Sequence, residues 1–308
     1  MKEIIKVNKL VKKYGTLTAV DGISFSVKEG EIFGLLGENG AGKTTTLEII
    51  EGLRKANSGS ITVLGEEITR GYSDSIKSSI GVQLQSSAYY SFLSLREILE
   101  LFGGFYPKSI SAKELLSMVG LENKSESLVK SLSGGQKQRF SIVASLVNDP
   151  KVVFLDEPTT GLDPLARRNL WDLIMAIKEK GKTIILTTHY MEEAEILCDR
   201  IAIMEKGKIL TLGQTHKLIE NAKSPFKINF YVKKINESVV EKLGKLGKIQ
   251  NLLGKSNHFE MEISSQNNLN AAITIVQKLE PESLAVGRAT LEDLFIELTG
   301  KTIGEENA

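Results

Sequence analysis

Apolar positions in the first two-thirds of the chain fall into two kinds of run. Residues 32–36, 152–155 and 183–187 are nearly unbroken apolar stretches, the pattern of strands buried on both faces in a parallel sheet. Residues 23–27 and 60–64 alternate instead, which predicts half-exposed antiparallel strands. The stretch between is helical. Ser94 with Glu97, and Ser111 with Glu114, each read as a capping box ahead of an apolar helical face. Asp163 followed by Pro164 opens another helix that runs to Gly181. This order predicts an α/β fold: a core with a parallel sheet, an antiparallel β subdomain and a helical insert at about 86–148.

A change of pattern near Ser224 and Pro225 predicts a boundary, with a first domain over 1–223 and a small accessory domain over 224–308. Beyond it the chain reads strand (226–232), helix (237–243), strands (249–253 and 258–263), helix (269–279), strand (284–286) and a helix opened by Thr290. That succession predicts a small α+β, ferredoxin-like domain.

The chain of 308 residues is long enough for one large and one small domain. With 39 Lys and Arg against 38 Asp and Glu, the formal charge is +1, so no general electrostatic footprint for nucleic acid exists and none is expected as a partner. The longest uncharged stretch, 78–95, is rich in Ser, Gln and Tyr, so no membrane span is predicted, and the amino terminus lacks the apolar core of a signal peptide. The single cysteine, Cys198, excludes an internal disulfide, fits a reducing compartment and reads as a core residue.

Three short segments carry chemistry. Gly37, Glu38, Asn39, Gly40, Ala41, Gly42, Lys43 and Thr44 fit G-x-x-x-x-G-K-[ST], the P-loop, with a strand before it and a helix after. Its glycines let backbone N–H groups wrap phosphate oxygens, Lys43 reaches the outer phosphates, the Thr44 hydroxyl ligates Mg²⁺, and Thr45 bonds an inner phosphate. The strand at 152–155 ends in Asp156 and Glu157. Asp156 is placed to hold Mg²⁺, and Glu157 to orient or deprotonate a water for in-line attack. Taken alone, the two acids suit a helix-capping pair equally well. Ser133, Gly134, Gly135 and Gln136 open a helix for which Ser133 is a natural cap. The two glycines add nothing to helix stability, and leave the backbone bare where something must approach closely.

In this order the motifs resemble those of the nucleotide-binding subunits of ATP-binding cassette (ABC) transporters, over roughly residues 1 to 220. Tyr14 matches the aromatic that stacks on adenine, and Leu132 to Gln136 the family signature. Asp163, after Gly161 and Leu162, matches the D-loop; His189, after Thr187 and Thr188, matches the switch histidine. Gln83 and Gln85 compete for the Q-loop, and Gln85 is taken because the family's glutamine follows the strand. The resemblance implies ATP and Mg²⁺ as ligands. Lys43, Gln85, Glu157 and His189 would be catalytic, with Thr44, Gln85 and Asp156 around the metal. A second ABC subunit, identical or paralogous, would place Ser133, Gly134 and Gly135 on the γ-phosphate across the interface. Separate transmembrane permease subunits would receive the motion on the cytoplasmic face of the membrane, with the segment 86–96, including Tyr89 and Tyr90, touching them.

The stretches SSAYYSFLSLREIL and ATLEDLFIELTG resemble the branch serving ABC-2 exporters. An importer ATPase is the alternative. A translation ATPase fits less well, because such chains carry two cassettes. A DNA-repair or chromosome ATPase would need a coiled coil between P-loop and signature, yet Lys43 and Ser133 lie 90 positions apart without a heptad run.

Overall fold

Strand β3 (Ile32–Leu36) is the sheet strand on which the phosphate loop is hung, and every one of its residues is buried. The computed structural model describes residues 2–68, 71–83, 89–252 and 257–300. Before β3 come β1 (Glu3–Tyr14) and β2 (Leu17–Lys28). After it follow α1 (Lys43–Ile50), β4 (Ser58–Val63), β5 (Glu66–Glu67), α2 (Asp74–Lys77) and β6 (Ile80–Gln83). The helical insert holds α3 (Leu95–Gly103), α4 (Ala112–Ser117) and α5 (Gly134–Ala144). The core resumes with β7 (Val152–Asp156), α6 (Pro164–Glu179), β8 (Thr183–Thr188), α7 (Met191–Leu197), β9 (Arg200–Glu205) and β10 (Lys208–Gln214).

The three apolar runs sit together in a six-stranded sheet of order β10-β9-β3-β8-β7-β6. Its strands are parallel except for the β9–β10 pair. The alternating segments lie in an antiparallel sheet of order β2-β1-β4-β5. The two sheets share one apolar core, in which Phe25 of β2 stacks on Phe33 of β3 with ring centroids 5.2 Å apart. At Gly81 of β6 a Cβ would fall 2.0 Å from the Ser145 carbonyl oxygen, so only glycine lets the end of α5 close on the sheet. Cys198 caps α7 and is buried, its sulfur packed where Gly34 leaves room.

Ser94 forms the full capping box with Glu97. At Ser111 the hydroxyl accepts from the Glu114 N–H at 3.2 Å, one arm of the predicted box.

Contacts divide the chain into a unit spanning Met1–Gln214 and a second spanning Thr215–Ala308. The second contains α8 (Thr215–Glu220), β11 (Phe226–Tyr231), α9 (Glu237–Gly244), β12 (Lys248–Asn251), β13 (His258–Ile263), α10 (Gln266–Gln277), β14 (Ser283–Arg288) and α11 (Leu291–Thr299). Helix α8 belongs there because it packs on α11, and the Lys223 N–H just beyond it bonds Glu297 at 3.0 Å. The sheet, β12-β13-β11-β14, is antiparallel throughout, the βαββαβ arrangement expected of a ferredoxin-like domain. Its core lies between that sheet and α9 and α10.

Candidate functional site

Helix α1 starts differently from its neighbours. Ser and Asp side chains cap α2, α3, α5 and α6, but α1 is preceded by Gly42, which supplies no side-chain cap. The first-turn N–H groups are therefore left for an anion. Gly42 sits at φ 99°, and a Cβ there would fall 2.3 Å from the Ala19 carbonyl oxygen of β2. Gly40 is also left-handed, at φ 81°, but has open space around it. The two positions predict different costs. Gly40→Ala should destabilise the fold by about 1 kcal/mol, from backbone strain alone. Gly42→Ala should cost about 2–5 kcal/mol, because the collision is with backbone that cannot swing away. Denaturant midpoints of the two variants check this, and equal shifts would refute the collision.

The Lys43 ammonium is buried and donates to the carbonyls of Gly37 (2.8 Å) and Glu38 (3.0 Å). It also lies 3.5 Å from Oε1 of Glu157. Burial pulls its pKa below the ordinary lysine value, against the opposing pull of Glu157.

Asp156, the last residue of β7, accepts from the Thr44 hydroxyl at 3.1 Å and from the Thr187 hydroxyl of β8. Burial raises its pKa, and these two hydrogen bonds oppose the rise. The next residue leaves the strand: Glu157 has φ 45°, a left-handed conformation that costs a non-glycine residue roughly 1–2 kcal/mol. Its N–H is held by the Thr187 side-chain oxygen (3.0 Å) and carbonyl (3.2 Å). Along a regular strand, successive side chains take opposite faces. The turn at Glu157 is what lets two adjacent carboxylates reach Thr44 and Lys43 of one loop.

Glu157 further accepts from the Thr160 hydroxyl at 3.0 Å, and Nδ1 of His189 lies 3.3 Å from its Oε2 without hydrogen-bond alignment. Burial would raise the Glu157 pKa, but Lys43, then His189 and Thr160, outweigh it and hold the carboxyl below its ordinary value. Thr187 entered the sequence reading only as context for His189, and Thr160 did not enter it. The available signal was a polar residue ending an apolar strand, and a hydroxyl three residues past the acid.

A cleft of about 360 Å³ brings together Tyr14, Asn39, Gly40, Gly42, Lys43, Thr44, Thr45 and Glu157. Lys12 and Arg54 flank the Tyr14 ring at 5.0 and 5.9 Å from its centroid. Ala41 is buried beneath the loop. The residues fit a nucleotide and its metal: a hydroxyl and a carboxylate already in mutual contact, beside uncapped N–H groups, offer the sparse oxygen set that suits Mg²⁺ when phosphates and waters supply the rest. A larger cavity of about 790 Å³ lies elsewhere in this unit and includes none of these loop residues.

The signature residues are outside the cleft lining. Ser133 and Gln136 form a reciprocal capping box at the start of α5, and Gln136 also accepts from Lys124 at 3.1 Å. A Cβ on Gly135 would sit 3.3 Å from Ala166 Cβ, so Gly135 admits α6, whereas a Cβ on Gly134 would meet nothing within 4 Å. The Asp163 carboxylate accepts from the Ala166 N–H at 2.9 Å and caps α6. Gln85 lies outside the described residues, and its rival Gln83 is buried at the end of β6.

Residues 20–160 match the family model described as ABC transporter. The linearmycin resistance ATP-binding protein LnrL of Bacillus subtilis (strain 168) is 35% identical over 97% of this chain and 99% of its own length. The Nod factor export ATP-binding protein I of Rhizobium sp. (strain N33) is 38% identical over 94% and 95%. Among solved structures, an ATP-binding cassette of an ABC transporter in its ADP conformation superposes with a TM-score of 0.65 at 25% identity, over 72% of this chain and 94% of that one. A dimeric post-hydrolysis ATP-binding cassette bound to ADP and Pi gives 0.62 at 27% identity, over 68% and 98%.

Proposed function

The chain belongs to the ATP-binding proteins of ABC transporters, and from that membership we propose that two such subunits close around ATP and drive separate membrane subunits of an exporter. It is an ATPase whose hydrolysis is coupled to transport. The observation that carries the site reading is the convergence of Tyr14, the P-loop and Glu157 on one cleft, with Lys43 and Glu157 in contact.

Tyr14 stacks on adenine. Asn39, Gly40, Ala41 and Gly42 wrap the phosphates with backbone N–H groups, and Thr45 bonds an inner one. Lys43 exchanges its loop carbonyls for outer phosphate oxygens. Thr44 and Asp156 would hold Mg²⁺, and Gln85 is assigned to the metal from the resemblance alone. Bound there, the ion would offset phosphate charge. Glu157, kept ionised by Lys43, takes a proton from the attacking water. His189 contacts the γ-phosphate. The open space at Gly134 supports an approach by another molecule's phosphates, which suits a dimer in which Ser133, Gly134, Gly135, Gln136 and Asp163 serve the opposite nucleotide. The dimeric cassette among the similar structures supports the same arrangement.

Linearmycin resistance and Nod factor export are the roles in the relatives' names, and both favour an outward direction. The membrane partner supplies the pathway and meets this chain on the cytoplasmic face. No helix among the described residues is long and apolar enough to cross a membrane. Tyr90 and Phe92, in the segment assigned to that partner, are 55% and 74% exposed. Expressed alone, the chain should stay in the supernatant after centrifugation; with its membrane subunit it should sediment with membranes. Retention through a carbonate wash without any partner would overturn this.

A further inference from the structure

Glu193 lies in the first turn of α7 and has no exposed surface. Its Oε1 accepts from the indole N–H of Trp171, on α6, at 3.2 Å. Its Oε2 has no hydrogen-bond partner among the described residues, and neither does the hydroxyl of Thr159, which is also fully buried. Burial pushes the Glu193 pKa up, and the Thr188 and Thr159 hydroxyls, then Trp171 and Arg167, oppose the rise. The carboxyl thus stands against two hydroxyls that come from different parts of the site.

Each hydroxyl belongs to one arm of the pair assigned to hydrolysis. Thr159 precedes Thr160, whose hydroxyl donates to Glu157 at 3.0 Å. Thr188 precedes His189, and its side-chain oxygen accepts from the Tyr190 N–H at 3.0 Å, so that bond closes over the histidine's backbone. On the far side of the circuit, Nδ1 of His189 lies 3.3 Å from Oε2 of Glu157. Tyr190 adds a brace: its ring centroid is 4.2 Å from that of His189, and the Arg167 guanidinium lies 4.2 Å from it. An acid suits the hub because of how donors and acceptors divide. Trp171 can only donate, and it takes Oε1. The Thr188 oxygen already accepts from Tyr190, which leaves its O–H to give. A buried carboxyl oxygen without a donor is costly, which favours both hydroxyls turning to Oε2.

We propose that Glu193 is a positioning residue for hydrolysis: by drawing the Thr159 and Thr188 hydroxyls to one buried oxygen, it fixes Glu157 and His189 relative to each other. It acts through the two threonines and touches no reacting atom, and its effect rests on the roles given above to Glu157 and His189.

Glu193→Gln in the purified full chain should lower kcat about tenfold, with KM for Mg-ATP within about twofold of the parent value. The indole orients the amide, whose oxygen must face Trp171; the amide nitrogen then replaces Oε2 and forces the hydroxyls to turn. Trp171 is the chain's one tryptophan, so its indole N–H resonance in an isotope-labelled sample, together with thermal unfolding, shows whether the variant is folded with residue 193 in place. Thr159→Val removes only a hydroxyl and should lower kcat in the same way; should the amide variant unfold, this variant carries the test. Because the two residues act as a unit, the double variant should be no slower than the slower single one. Parent kcat in either single variant, a loss confined to KM, or losses that multiply in the double variant would overturn the positioning role. Glu157→Gln, measured alongside, reports on the underlying reading by itself. If it turns over at the parent rate, the hydrolytic pair is misassigned and the role of Glu193 falls with it. If it stalls while Glu193→Gln does not slow, the role of Glu193 alone falls.

Discussion

Glu157→Gln is expected to lower ATP turnover by about 10²–10⁴ while leaving nucleotide binding intact, and to trap a dimer in Mg-ATP. The amide has nearly the shape of the carboxylate and can bond the attacking water, but it cannot accept its proton. The left-handed backbone at this position is unaffected, because the Thr187 contacts that hold it are made to the peptide N–H. The substitution also removes a negative charge near the γ-phosphate, which favours the closed pair. Whatever binds only the closed state draws the equilibrium toward it by mass action. Light scattering coupled to size exclusion on apo, Mg-ADP and Mg-ATP samples reads the outcome. Turnover at the parent rate would remove Glu157 from its role. A variant that binds ATP yet stays monomeric until a paralogous cassette is added would show the working unit to be a heterodimer.

Lys43→Ala should abolish measurable hydrolysis, a loss of about 10²-fold or more, and weaken nucleotide binding as well. Two effects combine. The mobile positive charge on the outer phosphates disappears, and so does the partner that keeps Glu157 ionised. The loop itself also suffers, since the carbonyls of Gly37 and Glu38 lose their donor. Leaving a buried acid without its partner costs about 3–5 kcal/mol in comparable pairs. Thermal unfolding should therefore accompany the activity assay, and Lys43→Arg, which keeps a charge, should recover stability more fully than turnover. Near-parent hydrolysis by the alanine variant would sink the P-loop assignment.

Much of this was legible in the residues, for reasons that also mark where legibility stops. Four large apolar residues interrupted by one glycine, directly ahead of a glycine-rich loop, can hardly be anything but a buried strand, and β3 is one. The C-terminal unit could be read in order because its strands keep alternation, as β13 does from His258 to Ile263. The amino-terminal strand β1 could not. Its burial runs out of phase, because the pairing shifts register between Val7 and Leu10, where Lys9 turns to φ 46°, and again near Lys12. A bulged strand has no period for the eye to find. Likewise, Asp156 and Glu157 announced themselves as a pair, but the hydroxyl of Thr187, a residue thirty positions on, could be joined to them only once β7 and β8 were seen side by side.

The pairing of β3 has a consequence for how the chain comes off the ribosome. Its two neighbours in the sheet are β8 and β9, which begin at Thr183 and Arg200. The antiparallel sheet, by contrast, pairs residues within the first 67. That sheet can form while synthesis continues, yet the strand beneath the phosphate loop then waits with both edges open for well over a hundred residues. At about 5–20 residues per second the wait is of the order of ten seconds or more. An exposed, wholly apolar strand of this kind is what chaperones grip and what aggregates. Truncated nascent chains ending before residue 183 should accordingly be sensitive to protease across residues 32–36 even where the first sheet is protected.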